Sequence, residues 1–450
     1  MAKSAFVLLA YMAVSACATQ AMPVEPPVDA APATQAPPSQ SQPQNPPQPQ
    51  ATPAAVRPPL KSRLPAPAAT LPTLPVPVPA GLEPLIFSAT GYENLPDWST
   101  TDVAAARRAL LRSCAILLER PAQAMLSTVA TYGGRVGDWA QACRLAQDTS
   151  VDDRAFWEKN FQAWRVETKT TQIGRLTSYY EPIMAASWTK TPLYSEPIQA
   201  KPNDLIEIDL AKFDPTLRNR TIVARFSRGM VVPYFSRAEI TEDTAPVLAW
   251  GEPAEVLSLQ VQGSGRLQFE DGAQMRAAYA AHNGHRFGSN AQELIRRGIL
   301  APNAASMDAI KAWFKSADPK DARDVLNANP RTVFFKLEPI RDPSEGPKGA
   351  QQVPLEPGGS LAVDSMYHAY GVPIFLAAEA PRVALSTDTT VRRLVIAQDT
   401  GGAIKGPIRG DLYWGTGPEA GLRAGRINHD VRFWVLLPRG LNPSPIAALP

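Results

Sequence analysis

A mainly β fold with a small helical front is predicted from three observations. First, residues from about Ser99 to Trp164 carry apolar positions at helical spacing behind a cap-like Ser99–Asp102 stretch. Second, beyond Thr168 short apolar runs alternate with Gly and Pro, the pattern of strands and turns. Third, 19 of the 46 prolines of the 450-residue chain fall within the 59 residues from Met22 to Ala80, which therefore stand apart from the folded body.

The first residues read as an export signal: Lys3, then a mostly apolar run from Ser4 to Ala16, too short to span a bilayer. Val14-Ser15-Ala16-Cys17 closes the run like a bacterial lipobox, in which Cys17 is lipidated and begins the mature chain; the other reading is an ordinary signal cut that discards Cys17. Residue Ala18 is not the aspartate tied to inner-membrane retention, so outer-membrane anchoring is the expectation. Residues 18–84 then form a Pro-rich tether with few large apolar residues before Leu71. In extended polyproline form it reaches on the order of 100 Å.

The folded part is expected from Leu85. Helices are predicted from Val103, across Trp139 to Leu145, and across Asp152 to Trp164, with Phe156, Phe161 and Trp164 in the core. Cys114 and Cys143 fall in helix-like segments; in an exported chain they either join two helices or stay as buried thiols. Strands are predicted at Leu176–Tyr180, Leu205–Leu210, Thr221–Phe226, Val256–Gln262, Thr332–Lys336, Val383–Leu385, Leu394–Ala397 and Phe433–Leu437. Helical interludes are predicted from Glu239–Ile240 onward, at Asn290–Arg297 and at Met307–Ser316.

Several chemistries are excluded. The net charge of +3 gives no basic stripe for nucleic acid. Gly401 to Gly406 lacks phosphate-loop spacing, and Gly415 to Gly421 misses the dinucleotide spacing by one residue. Four histidines, with only His282 and His285 close together, make no zinc frame, so no metal and no cofactor is expected.

What remains is a set of dense strings: Thr177-Ser178-Tyr179-Tyr180-Glu181-Pro182; Val261-Gln262-Gly263-Ser264-Gly265-Arg266; Ala281-His282-Asn283-Gly284-His285; Pro357 to Asp364; Asp399-Thr400-Gly401-Gly402-Ala403-Ile404-Lys405-Gly406; and Arg409-Gly410-Asp411-Leu412-Tyr413-Trp414-Gly415. Their order, spread from about Leu85 to Leu437, resembles the membrane-bound lytic murein transglycosylase A family. The C-terminal part resembles the 3D domain, named for three aspartates, here Asp364, Asp399 and Asp411. The resemblance implies a double-psi β-barrel carrying an inserted second β-barrel domain, with the active-site groove between them. The implied divisions are helices and first barrel part at 85–185, the insert at 186–335, and the C-terminal barrel domain at 336–450.

The implied activity is non-hydrolytic cleavage of peptidoglycan between MurNAc and GlcNAc, leaving 1,6-anhydro-MurNAc ends. The implied place is the periplasmic face of the outer membrane, with glycan strands as substrate and cell-wall synthesis or division proteins as partners. Asp411 is the expected acid and then base, desolvated by Leu412, Tyr413 and Trp414. The segment departs from the simplest family pattern at Gly410. Asp399 is read either as a turn former or as a second carboxylate that tunes Asp411. Asp364 is expected to organise a barrel turn. Tyr179, Tyr180, Glu181, Gln262, Ser264, Lys405 and Trp414 are the expected sugar-binding groups, with Lys405 orienting a sugar oxygen or pairing with Asp399. His282 and His285 are read as structural. Two other readings stand beside the lytic one: a hydrolase using Asp399 and Asp411, and a non-catalytic peptidoglycan-binding scaffold.

Overall fold

The computed structural model describes residues 83–217, 220–302, 304–381 and 390–443. Cys17, nearly all of the tether and the strand expected at Val383–Leu385 lie outside these residues.

The front is β1 (Ile86–Thr90) and three helices, α1 (Ala104–Leu117), α2 (Val136–Leu145) and α3 (Asp153–Asn160). Asp102 accepts the Ala104 N–H at 3.0 Å, and Asp152 accepts from Arg154 and Ala155, so both helices start where a carboxylate meets free N–H groups. Buried Arg107 of α1 donates to the Ala146 and Val151 carbonyls and pairs with Asp153 at 2.8 Å, tying the three helices together. Cys114 of α1 and Cys143 of α2 are bonded. The third helix is shorter than the spacing predicts. It ends at Asn160, and Phe161–Glu167 is strand β2, because Phe161, Ala163 and Val166 turn inward as a paired strand.

Strand β3 (Gly174–Glu181) follows. The chain then leaves for an inserted body: β4 (Ile183–Ala186), β5 (Glu196–Gln199), β6 (Ile206–Asp209), β7 (Thr221–Ser227), β8 (Met230–Pro233), β9 (Val247–Gly251), α4 (Pro253–Gln262), β10 (Gly265–Phe269), β11 (Gln274–His282), α5 (Asn290–Arg296), α6 (Met307–Ser316), α7 (Pro319–Asn327) and β12 (Val333–Pro339). Two expectations fail here. Val256–Gln262 is helix, since Pro253 presets its first turn and Gly263, at φ 84°, ends it. The helix expected from Glu239 is a single turn, Arg237–Glu239.

The chain returns through β13 (Ser360–Val363), β14 (Pro373–Pro381), β15 (Val391–Asp399), β16 (Arg409–Thr416), α8 (Pro418–Ala424) and β17 (Asn428–Pro438). Strands pair in the order β1-β2-β17-β14-β15-β13-β16-β3, and β3 also pairs with β17. The six strands from β17 to β3 therefore close on themselves. Long β17 makes this possible: Asn428–Val431 pairs with β3, and Phe433–Pro438 pairs with β2. The pairings β13–β15 and β16–β3 are parallel and the rest of the ring is antiparallel. Leu176, Leu361, Val363, Leu412, Phe433 and Val435 form part of the main core with the front helices. Each such large side chain contributes about 1.5–3 kcal/mol on burial.

Glu181 sits where the two bodies meet. Its side chain is wholly buried, with Arg266 of β10 at 2.9 Å and Arg276 of β11 at 2.6 Å. Both guanidinium groups also donate to the Glu345 carbonyl on the returning segment, at 3.1 and 2.7 Å. Thr416 of β16 donates to Glu181 Oε2 at 2.7 Å. One carboxylate thus fastens the outgoing strand, the inserted body and the return.

Candidate active site

Barrel register builds the site. Across four neighbouring strands, Asp399 (β15) pairs with Ala362 (β13), Ala362 with Asp411 (β16), and Asp411 with Thr177 (β3). A register shift between Leu361 and Ala362 brings Asp399 into this row. Neighbouring strands lie about 4.8 Å apart, so the two aspartate Cα atoms are roughly 10 Å apart. Side chains two residues along a strand share a face. Tyr413 and Tyr179, themselves in register, therefore stand beside Asp411 and Thr177. They pack with Leu355, Ala362 and Ile404 into a small apolar cluster that walls the row.

The two carboxylates are held differently. Asp399 Oδ2 accepts from the Tyr179 hydroxyl at 2.6 Å, and Oδ1 accepts the Ala350 N–H at 2.9 Å. Burial nevertheless raises the Asp399 pKa. Asp411 Oδ1 accepts from the Thr177 hydroxyl, and Thr177 Oγ1 in turn accepts from Arg409 Nη2 at 2.7 Å. Among the described residues nothing donates to Asp411 Oδ2, which leaves one carboxyl oxygen for a ligand. Burial pushes the Asp411 pKa up to about 6; Arg409 and the Thr177 bond pull it down, and the Asp399 charge raises it further. A carboxyl group poised there gives up and takes back a proton near neutral pH.

The inserted body faces this row. Tyr279 of β11 feels the charges of both Asp399 and Arg331. A Cβ on Gly402 would stand 3.4 Å from the Arg331 guanidinium, so the Gly401–Gly402 turn reaches the insert. His282 is pushed down to about 4 by burial and by Arg331, and is neutral. Its Nδ1 accepts the Gly284 N–H at 2.8 Å, while His285 Nε2 donates to the Tyr234 carbonyl at 2.8 Å.

Of the expected sugar-binding residues, only Tyr179 joins the Asp411 row. Tyr180 lies on the opposite face of β3, against α8, where a Cβ on Gly421 would meet its ring at 2.9 Å. Glu181 is spent in the buried junction. Trp414 is on the opposite face of β16 from Asp411, packed on the main core with Arg393 over its ring at 5.2 Å. Lys405 pairs with Asp364, at 3.8 Å, not with Asp399, because the turn carries its ammonium toward that buried carboxylate. Asp364 also accepts N–H bonds from Met366 at 3.2 Å and Gly406 at 2.9 Å. Gln262 Oε1 accepts the Tyr180 N–H at 3.0 Å, and Ser264 is buried beside it at the end of α4. Four site groups escaped the sequence reading. Thr177 and Arg409 lie inside quoted strings, but only strand register reveals that they act on Asp411. Tyr279 and Arg331 carry no motif.

The chain matches two family models, the MltA specific insert domain over residues 175–336 and the 3D domain over residues 359–437. It is 32% identical over 294 residues to the membrane-bound lytic murein transglycosylase A of Escherichia coli (strain K12), a match covering 63% of this chain and 72% of that protein. The crystal structure of a membrane-bound lytic murein transglycosylase from Agrobacterium tumefaciens superposes with a TM-score of 0.65 at 31% identity, covering 78% of this chain and 98% of that one. The Escherichia coli MltA with bound chitohexaose superposes with a TM-score of 0.57 at 26% identity, covering 78% of this chain and 94% of that one. With 32% identity to a relative of which it covers 72%, the chain belongs to the membrane-bound lytic murein transglycosylase A family of enzymes.

Proposed function

We propose that the enzyme cleaves the β-1,4 bond between MurNAc and GlcNAc in peptidoglycan and closes a 1,6-anhydro-MurNAc end, with Asp411 as acid and then base. The observation that carries this reading is the state of Asp411: one free oxygen on a carboxyl group raised to about 6. The Asp411 proton passes to the glycosidic oxygen, the C1–O bond breaks, and GlcNAc leaves as an alcohol. The new carboxylate takes the proton of the MurNAc C6 hydroxyl as that oxygen bonds to C1. The carboxyl group is restored and no water is consumed. Thr177 holds Oδ1 throughout, and Arg409 stabilises the transient carboxylate through Thr177. Asp399 keeps Asp411 protonated through its charge.

Hydrolysis by the same pair is the weaker reading. An inverting hydrolase needs a base with an oxygen open to water. Both oxygens of Asp399 are engaged, by Tyr179 and Ala350. Digestion of purified sacculi, with mass analysis of the released muropeptides, separates the readings. Anhydro ends that disappear in Asp411→Asn support the lytic reaction, and reducing ends carrying added water overturn it. A binding scaffold would leave sacculi unaltered. Removing a positioned acid–base group lowers activity by about 10²–10⁴-fold.

The proposal extends to location. The short apolar run ending at Cys17, with the Pro-rich tether behind it, supports lipid anchoring on the periplasmic face of the outer membrane. Three measurements test this part: mass analysis of the mature N-terminus for acylated Cys17, membrane fractionation, and co-purification with cell-wall synthesis or division proteins.

A further inference from the structure

Arg331 is a half-buried cation without an anion. It lies just before β12 on the inserted body, where its guanidinium stands against the Gly401–Gly402 turn of the barrel: a Cβ on Gly402 would be 3.4 Å from its Cζ. Burial pushes its pKa down, the mark of a charge withdrawn from water. Its Nη1 donates to the His285 carbonyl at 3.1 Å, and among the described residues no carboxylate pairs with it and no acceptor takes Nε or Nη2. Neither of those two groups is sealed off from solvent. Other guanidinium groups withdrawn from water here are compensated. Arg266 and Arg276 share Glu181, and Arg409 has the Asp411 charge to offset its burial. Two carboxylates near Arg331 do not do this for it. Glu207 and Asp399 both act on Tyr279, yet of the ionisable groups only Tyr279 acts on Arg331. Glu207 is paired with Lys201 at 3.0 Å.

The open side of the guanidinium, Nε with Nη2, is a fork that gives a carboxylate two parallel N–H bonds. The chemistry of the polymer supplies that carboxylate. The glycan backbone of peptidoglycan is neutral except at the lactyl group of MurNAc, which is either a free carboxylate or the amide root of a peptide stem that carries carboxylates. Tyr279, 46% exposed, stands beside Arg331. A sugar laid on that ring presents its substituents to the guanidinium. We propose that Arg331 recognises a carboxylate borne by MurNAc, so that this residue selects acidic glycan strands over neutral ones. The assignment deepens the reading of the groove as a peptidoglycan site and rests on it.

The test uses the full chain carrying Asp411→Asn, so that bound strands are not consumed, and reads dissociation constants by calorimetry. Arg331→Gln drops the charge and keeps an N–H for the His285 carbonyl. The probes are neutral chitohexaose, MurNAc-GlcNAc strands with free lactyl groups, and the same strands with peptide stems. Arg331→Gln is expected to weaken a carboxylate-bearing probe by about tenfold or more and to leave chitohexaose unchanged, which shows that the fold is intact. A loss confined to the free lactyl strands assigns the lactyl carboxylate, and a loss confined to the stem-bearing strands assigns the stem. Methyl esterification of the responding probe is expected to reproduce the loss with Arg331 in place, so the test does not depend on the variant folding. Ester and acid bound equally, no loss on either strand probe, or an equal loss on all three probes overturns the proposal. Failure of every probe to bind with Arg331 in place is a different result: it would sink the reading of the groove as a glycan site, and the proposal with it.

Discussion

Asp399 and Asp411 stand opposite the same residue, Ala362, from the two sides of β13. Neither the twelve-residue interval between them nor any local pattern fixes this relation; barrel closure does. It sets two carboxyl groups on one face of the sheet, under one apolar wall. The Asp399 charge then penalises deprotonation of Asp411, whose free oxygen suits it to the proton exchange proposed above.

The pH dependence follows with a definite sign. In the proposed reaction Asp411 acts as an acid while protonated, and its pKa is raised to about 6. The value of kcat/KM is expected to fall about tenfold per pH unit above about 6. The same shift bears on stability. A carboxyl group raised in the folded state favours folding below its unfolded pKa of about 3.9 and loses that contribution as pH rises through about 6. Asp411→Asn is therefore expected to be more stable than the parent above pH 6, by on the order of 1–3 kcal/mol. Thermal melts at pH 5 and pH 8 check it; a variant that is less stable at pH 8 would falsify the burial argument.

Thr177→Val keeps the shape of the side chain and removes its hydroxyl. The hydrogen bond that stabilises the Asp411 carboxylate goes, and so does the acceptor for Arg409. The Asp411 pKa is expected to rise, moving the alkaline limb of kcat/KM upward while kcat falls. A lower kcat with an unmoved limb would mean that Thr177 only fills space.

Glu181→Gln leaves Arg266 and Arg276 buried without their carboxylate. Breaking such a pair costs about 3–5 kcal/mol. The expected result is a large drop in denaturant midpoint, with the activity of the remaining folded fraction reduced because the junction no longer fixes the insert against the barrel. Unchanged stability would contradict the role given to this carboxylate.

Legibility in the sequence followed the range of the forces involved. Helix α6 coincides with its predicted span because Ser306 caps the N-terminus and the apolar spacing is local. Val256–Gln262 misled because a short apolar run suits a strand and a buried helix equally, and the deciding residues, Pro253 and Gly263, lie at its ends. The site divides in the same way. Dense strings expose Asp399 and Asp411, yet face and partner depend on pairings hundreds of residues apart. Thr177 reaches Asp411 across 234 positions, and Tyr179 reaches Asp399 across 220. The aromatic pair Tyr413-Trp414 is expected beside Asp411. In a strand its two rings point to opposite faces.

That separation yields the last prediction. Tyr413 stands on the Asp411 face, whereas Trp414 packs against the barrel core under Arg393. Its indole N–H meets no acceptor among the described residues, so packing and the Arg393 guanidinium, not a hydrogen bond, hold the ring. Trp414→Ala is expected to lower stability by about 3 kcal/mol through lost burial. At a temperature where the variant is folded, kcat/KM is expected to stay within a few-fold of the parent. Tyr179→Phe makes the opposite trade. It removes the hydroxyl that donates to Asp399 Oδ2 and is expected to cost about 1–2 kcal/mol while changing the pH profile through the Asp399 charge. Measuring stability and pH–rate profiles for both separates core from site: a loss of activity in Trp414→Ala beyond its unfolded fraction would return that ring to the groove.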